Sequence, residues 1–288
     1  MVRQRKVAVV TDSSCCLARG VIEEYEISVV PFELVFDDRV YLDGVDVQPA
    51  EFYKLLSRNH RLPTTSAPKP GSFLEAFQEV GQRAESILCL TLAQNFSTTF
   101  QAARMAAETA SSLLPGVPIR VMDTRTAAGA EGFLVLEAAR AAQRGEELEQ
   151  AAQRVEALIP RLRLYAFLDT LHYLWKGGRI PKIAAWAGSL LGVKPLMELR
   201  LGEARLLEKP RSRSKAMERL IALTKRDVGD QPLHGNVMHA NALADAEALS
   251  QWMRRELNCV ELLISEFTPV MGTHTGPGLL GIAFYCEQ

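Results

Sequence analysis

Short apolar runs alternate with longer helical patterns along almost the whole chain, and this alternation limits the possible folds more than any other feature. Val7–Thr11 reads as a buried strand, and Ser86–Leu92, Pro118–Met122, Arg163–Leu168, His234–His239, Val260–Glu266 and Leu279–Tyr285 read as further strands. Gly71–Ala84, Ser97–Leu114, Ala127–Arg144, Glu146–Ile159, Ser214–Lys225 and Ala242–Leu257 read as helices between them. Strands that alternate with helices imply an α/β fold, with a mostly parallel sheet and flanking helices expected in its N-terminal part. Ser28–Phe36 and Arg39–Leu42 are strand-like about the turn pair Asp37-Asp38, and Pro49 opens a helix over Ala50–Ser57. Leu62–Pro70, with three prolines, reads as an irregular loop. Lys194–Arg200 and Ala204–Glu208 read as a hairpin about Gly202. A chain of 288 residues is long enough for two medium domains. The boundary falls near Pro160, where two consecutive helices give way to a new strand, dividing the chain into 1–160 and a C-terminal α/β domain of 161–288.

Several function classes lose support early. Thirty-three basic residues against 34 acidic ones leave a formal charge of −1, so no chain-wide field draws nucleic acid or an anionic membrane. The five cysteines are odd in number and lack zinc-ligand spacing, which suggests a reduced, cytoplasmic chain. Behind the basic N-terminus the apolar run Val7–Val10 is too short for a signal peptide. The longest apolar stretch, Ile183–Val193, stops at Lys194, short of a membrane span. No G-x-x-x-x-G-K-[ST] is present, no G-x-G-x-x-G follows a strand, and no G-x-S-x-G or i, i+4 histidine pair occurs. Nucleotide binding, serine-hydrolase chemistry and a metal site are all poorly supported. Arg211 and Arg213 beside Lys215 read as a solvated face.

What does recur is a small hydroxyl residue after a strand: Ser13-Ser14, Ser97-Thr98-Thr99, Thr124 with Thr126, Thr170, and Thr273 with Thr275. In open α/β sheets the loops past the strands' carboxyl ends form the ligand crevice, where helix N-termini suit an anion. Ser97, closing a strand and opening a helix, reads first as a cap when taken alone. The convergence of several such loops points to a carboxylate or other anion. Thr64-Thr65-Ser66 between prolines reads equally as a rigid surface turn or as part of that site. Met271–Gly278 reads as a glycine-rich loop in which backbone can approach a ligand and His274 can hydrogen-bond a carboxylate.

These segments, in order, resemble the DegV family over nearly the whole chain. Val7–Ser14 (VAVVTDSS), Tyr41–Asp46 (YLDGVD), Pro63–Pro68 (PTTSAP), Asp169–Arg179 (DTLHYLWKGGR), Lys194-Pro195, His239–Ala242 (HANA) and Gly272–Gly278 (GTHTGPG) carry the resemblance. It implies a two-domain DegV-like fold with a long-chain fatty acid between the domains and no other cofactor. It also implies a lipid-binding protein, not an enzyme in itself, that presents the carboxyl group to a separate ATP-binding fatty acid kinase subunit. The acyl phosphate then passes to phospholipid synthesis. By the same analogy Thr65, Ser97 and His274, with Thr275 nearby, hold the carboxylate, and Arg179 faces the partner and the incoming phosphoryl group. The loop Ala93–Thr99 departs from the family pattern: Asn95 and Thr98 stand where it has glycines. The Ile183–Val193 run reads as a pocket-lining helix or as ordinary core. A stand-alone phosphotransferase for a small hydroxyl compound is the alternative function.

Overall fold

In the computed structural model, which describes residues 5–37, 39–58, 62–179 and 192–287, the expected alternation is realised. The first half forms β1 (Ala8–Asp12), α1 (Arg19–Tyr25), β2 (Ser28–Val30), β3 (Glu33–Phe36), β4 (Arg39–Leu42), α2 (Pro49–Arg58), β5 (Thr64–Ser66) and α3 (Pro70–Gly81). It continues with β6 (Ile87–Thr91), α4 (Thr99–Leu113), β7 (Ile119–Asp123), α5 (Ala128–Gln143) and α6 (Leu148–Leu158). Then come β8 (Arg163–Phe167), α7 (His172–Gly177), β9 (Leu196–Arg200), β10 (Glu203–Glu208) and α8 (Arg213–Val228). The last elements are β11 (Leu233–His239), α9 (Leu243–Glu256), β12 (Cys259–Glu266), α10 (Pro269–Thr275) and β13 (Leu280–Cys286).

Three sheets result. One is parallel, in the order β2-β1-β6-β7, so the loops after Asp12, Thr91 and Asp123 share one rim. Its inner strands are apolar without a break because both faces are covered. Ala8, Val10, Ile87 and Cys89 pack on Phe73 and Phe77 of α3 and Ala103 and Ala106 of α4. Val7, Val9, Leu88 and Leu90 belong to the larger cluster that contains Leu134 of α5 and Val155 of α6. The second sheet runs β10-β9-β8-β13-β11-β12 and is antiparallel except for the β11–β12 pair. Here the pleat separates two environments. Leu164 and Ala166 of β8 and Met197 of β9 join the large cluster, whereas Tyr165, Phe167 and Leu196 point the other way, toward Leu220 of α8 and Leu249 and Met253 of α9. The small third sheet, β4-β3-β5, is antiparallel.

Three local expectations fail, each for a physical reason. Ser28–Phe36 is not one strand: Pro31 has no N–H for a ladder, so the chain leaves the parallel sheet after Val30 and enters the small sheet at Glu33. Thr64–Ser66 is not a loop but an edge strand, with Leu34 opposite Thr65; prolines on either side are tolerated because the outer edge needs no partner. The Met271–Gly278 segment is mostly helix. Pro269 takes the first position of α10, and Gly276 (φ 73°) ends it. The Ile183–Val193 run lies outside the described residues apart from Gly192 and Val193, and Val193 packs against the large cluster. No helix among the described residues is long and apolar enough to cross a membrane.

The β11–β13 side is tied to α5 by charge. His234 lies between Glu261 (2.9 Å) and Glu287 (3.1 Å) and stacks on Tyr285, with ring centroids 4.5 Å apart. Arg140 of α5 takes both oxygens of Glu261. Burial opposes ionisation of Glu261, but His234 and Arg140 outweigh it and hold the carboxyl at about 2.

Candidate functional site

Between the rim of the parallel sheet, the inner face of β8–β10 and helix α10 lies a cavity. Phe32, Leu92, Phe96 and Ala127 line it from the rim, Leu164, Ala166, Met197, Leu199 and Ala204 from the second sheet, and Phe267, Val270, Met271 and Leu279 from the α10 side. The polar side chains among its lining are Ser14, Thr65, Ser97, Arg179, Glu198, His274 and Thr275. A second hollow adjoins it, lined by Leu62, Pro63, Thr64, Thr65, His172, Tyr173, Lys176, Gly177, Arg179, Thr273 and His274, with no acidic side chain. Thr65, Arg179 and His274 line both. They therefore stand where an apolar chamber meets a basic groove.

Thr65 reaches this boundary from β5 and His274 from α10, and Thr65 Oγ1 lies 2.8 Å from His274 Nε2. Burial, reinforced by the nearby positive charge of Arg179, lowers the imidazole to about 4, so it is neutral at ordinary pH. Its Nδ1 is buried without a partner among the described residues and faces Gly177, where an added Cβ would sit 2.5 Å away. A buried orphan N–H is rarer than an under-satisfied acceptor. The proton accordingly belongs on Nε2, which donates to Thr65 and leaves the threonine hydroxyl hydrogen free to point into the cavity.

Ser97 sits just before α4. Its Oγ lies 2.6 Å from Thr99 Oγ1 and accepts from the Thr99 amide at 3.3 Å, while Thr98 at the cap position makes no side-chain cap bond. Ser97 thus combines a cap-like contact with a place in the cavity wall. Thr275 also lines the cavity, though its hydroxyl donates back to the Met271 carbonyl at 2.9 Å. Arg179 is exposed and donates to the Gly177 carbonyl at 2.9 Å.

Most of the other rim hydroxyls build loops instead of facing a ligand. Thr124 donates to the Thr91 carbonyl (2.8 Å), Thr170 accepts from the His172 amide (3.1 Å), and Thr273 donates to the Pro269 carbonyl (2.9 Å). Ser13 donates to Asp43 Oδ2 at 2.6 Å, and Asp43 Oδ1 accepts the Val270 amide at 3.0 Å, so this carboxyl anchors the first turn of the helix carrying His274. Burial pushes Asp43 up to about 6. Asp169 pairs with Lys194 (3.1 Å) and Arg213 (2.9 Å), and Arg213 also donates to the Gly278 carbonyl (2.6 Å). Arg213 is therefore part of a part-buried clamp, not of a solvated face. The glycines after Met271 serve packing. A Cβ on Gly272 would lie 2.6 Å from Tyr53 Oη, one on Gly276 2.1 Å from the Tyr173 ring, and one on Gly278 2.4 Å from Asp169 Oδ2. Their close approach is to protein, not to the cavity.

One buried group escaped the sequence reading. Ser14 Oγ lies 2.6 Å from Asp12 Oδ1 and 2.7 Å from Glu131 Oε2, and all three residues are inaccessible. Ser14 has one hydroxyl hydrogen for two carboxyl groups. Asp12 also accepts the amides of Ser14 (3.0 Å) and Leu92 (2.8 Å), whereas Glu131 Oε1 has no hydrogen-bond partner among the described residues. Asp12, equally buried but accepting two backbone amides, holds the charge. Burial and the Asp12 charge raise Glu131 far above the usual carboxylate range, so it stays protonated and donates to Ser14. The only signal in the sequence is one acidic residue in the first, otherwise apolar turn of α5. Glu131→Gln is therefore expected to change stability by less than about 1 kcal/mol, whereas Asp12→Asn, which turns an amide toward the Leu92 N–H, should cost roughly 2–3 kcal/mol. Urea denaturation of both variants checks this; a larger loss in Glu131→Gln than in Asp12→Asn would mean that Glu131 is the ionised partner.

Comparison with known proteins places this architecture. The model of the DegV family, described as an uncharacterised protein, matches residues 6–287. A DegV domain-containing protein of Streptomyces coelicolor is 38% identical over 280 residues, which span 96% of this chain and 98% of that protein. The solved structure of a DegV family protein from Thermus thermophilus, described by its fatty acid binding, superposes with a TM-score of 0.90 at 28% identity, covering 98% of this chain and 100% of that one. A stearic acid-binding protein from Eubacterium ventriosum superposes at 0.88 with 26% identity, covering 97% and 98%. On the matched length and the shared fold, this chain belongs to the DegV family.

Proposed function

We propose that this chain binds a long-chain fatty acid between a lobe of residues 1–160 and one of 161–288 and presents its carboxyl group to a separate ATP-binding kinase subunit. The observation that carries the reading is the boundary at Thr65, His274 and Arg179, where the apolar cavity opens into the basic groove. An acyl chain of about sixteen carbons gains on the order of ten kcal/mol gross on leaving water, so the tail supplies affinity and the polar end needs only to orient it. Thr65 and Ser97 donate hydroxyl hydrogens to the carboxylate, His274 fixes the polarity of Thr65, and Thr275 packs beside them. Neutral donors satisfy a buried carboxylate without a salt bridge that would have to be broken on transfer. Arg179 faces the groove from which a phosphoryl group arrives. The fatty-acid-binding relatives support the ligand class.

Native mass spectrometry of protein purified from cells tests the ligand, with a retained fatty-acid mass expected. Protein that is empty and also fails to take up palmitate or oleate would refute the assignment. Ser97→Ala removes one donor from a desolvated carboxylate and should weaken palmitate binding by roughly 1–2 kcal/mol. Titration calorimetry reads this directly, and an unchanged affinity would reduce Ser97 to its contact with Thr99.

A further inference from the structure

The tip of the β9–β10 hairpin is the two-residue turn Leu201-Gly202, with both residues at positive φ (50° and 79°), as the tightest hairpins require. Leucine tolerates that conformation poorly. Although β10 is an edge strand, Gly202 is buried, because both of its backbone groups are bound to the opposite lobe. Its N–H donates to the Arg125 carbonyl at 2.6 Å, and its carbonyl accepts from Asn95 Nδ2 at 3.0 Å. Arg125 is itself at φ 56°. Asp123 Oδ1 joins the two receiving loops by accepting the amides of Gln94 (3.2 Å) and Arg125 (2.9 Å). Leu199 and Ala204, flanking the tip, and Phe96, next to Asn95, all line the cavity.

We propose that this docked turn is a latch on the cavity: Asn95 and Arg125 hold the hairpin shut across the rim, and its opening sets how fast a bound ligand leaves. Undocking sets the loss of two hydrogen bonds against strand ladders that stay intact, because the turn owes its φ values to the hairpin and keeps them when free. That balance gives a contact that opens locally without unfolding either sheet. Asn95 is exposed, so its side chain serves the latch and not the core. The inference rests on the proposed fatty-acid binding for its ligand, though not for its motion.

The test uses cis-parinaric acid, a fluorescent fatty acid, displaced by excess oleate in stopped flow. Asn95→Asp keeps the shape of the side chain but replaces the donor by an acceptor facing a carbonyl; Gly202→Ala puts a Cβ 2.9 Å from Asn95 Nδ2 at a φ that alanine resists. Both are expected to speed dissociation roughly tenfold. Met105→Ala, on the exposed face of α4, should leave it unchanged. In parallel, hydrogen exchange of the ligand-free protein over residues 196–206 should quicken in Asn95→Asp. Unchanged dissociation in both variants overturns the latch, even if exchange quickens. If the unsubstituted protein binds no parinaric acid, the fatty-acid assignment falls instead. The latch then stands or falls on hydrogen exchange alone, an unaltered rate overturning it.

Discussion

Under the proposed function, Arg179→Ala is expected to retain fatty acid within about twofold of the unsubstituted protein and to slow its phosphorylation by the proposed kinase subunit about a hundredfold. The split follows from position. Arg179 is exposed and its hydrogen bond among the described residues is local, to Gly177, so little folding or tail-binding energy is expected to depend on it. Its charge is nevertheless near enough to His274 to lower that imidazole, which places a cation where the apolar cavity meets the basic groove. Phosphoryl transfer gathers negative charge on the moving group, and pre-positioned cations are the usual means of stabilising it. Mass-spectrometric detection of acyl phosphate from loaded protein, kinase and ATP measures the rate, and the lipid retained is read from the same samples. Arg179→Lys should recover part of the rate, since it restores charge without the planar fork. Normal transfer by the alanine variant would remove Arg179 from the reaction. Loss of the lipid would make it part of the cavity's binding wall.

Thr65→Val should weaken palmitate binding by about 1–3 kcal/mol, roughly five- to a hundred-and-fiftyfold, and lower the thermal midpoint by a few degrees, since a buried N–H loses its acceptor. Valine suits the β5 edge strand and matches threonine in shape, so the variant removes a hydroxyl and little else. Two groups then lose a partner: the carboxylate of the proposed ligand loses a donor, and His274 Nε2–H loses its acceptor at 2.8 Å. Thr65→Ser, which retains the hydroxyl, should bind within a few-fold of the parent protein. Calorimetric titration with palmitate compares all three. Equal affinity of the valine and threonine proteins would show that the hydroxyl is not turned toward the ligand, and the tautomer assigned to His274 would fall with it.

The strands of the parallel sheet were readable from sequence because burial on both faces leaves no polar alternation to obscure them, and the Lys194–Glu208 hairpin because Gly202 punctuates it. Ser28–Phe36 misled because a continuous apolar run hides the single missing N–H at Pro31, which sends the chain into another sheet. Around Gly272 the density of glycine and threonine suggests a loop. The glycines are needed because Tyr53, Tyr173 and Asp169 crowd α10 and its end, a fact of tertiary packing. The pairing of Thr65 with His274 spans most of the chain, and no local pattern announces it; family resemblance alone brought the two together. Resemblance also drew attention to Asn95, whose side chain turns out to bind Gly202. Arg213 was misjudged because charge clusters usually face solvent, and only the fold reveals Asp169 and Asp245 beside it.

The pleat of β8 and β9 has an evolutionary consequence. Leu164 and Ala166, opposite Leu199 and Met197, shape the chamber, while Tyr165 and Phe167 on the same strand hold the C-terminal helices in place. Neighbouring codons thus answer to different selective pressures. A lineage can retune the berth for a longer, shorter or bent guest at every second residue, while the intervening residues remain under selection for folding.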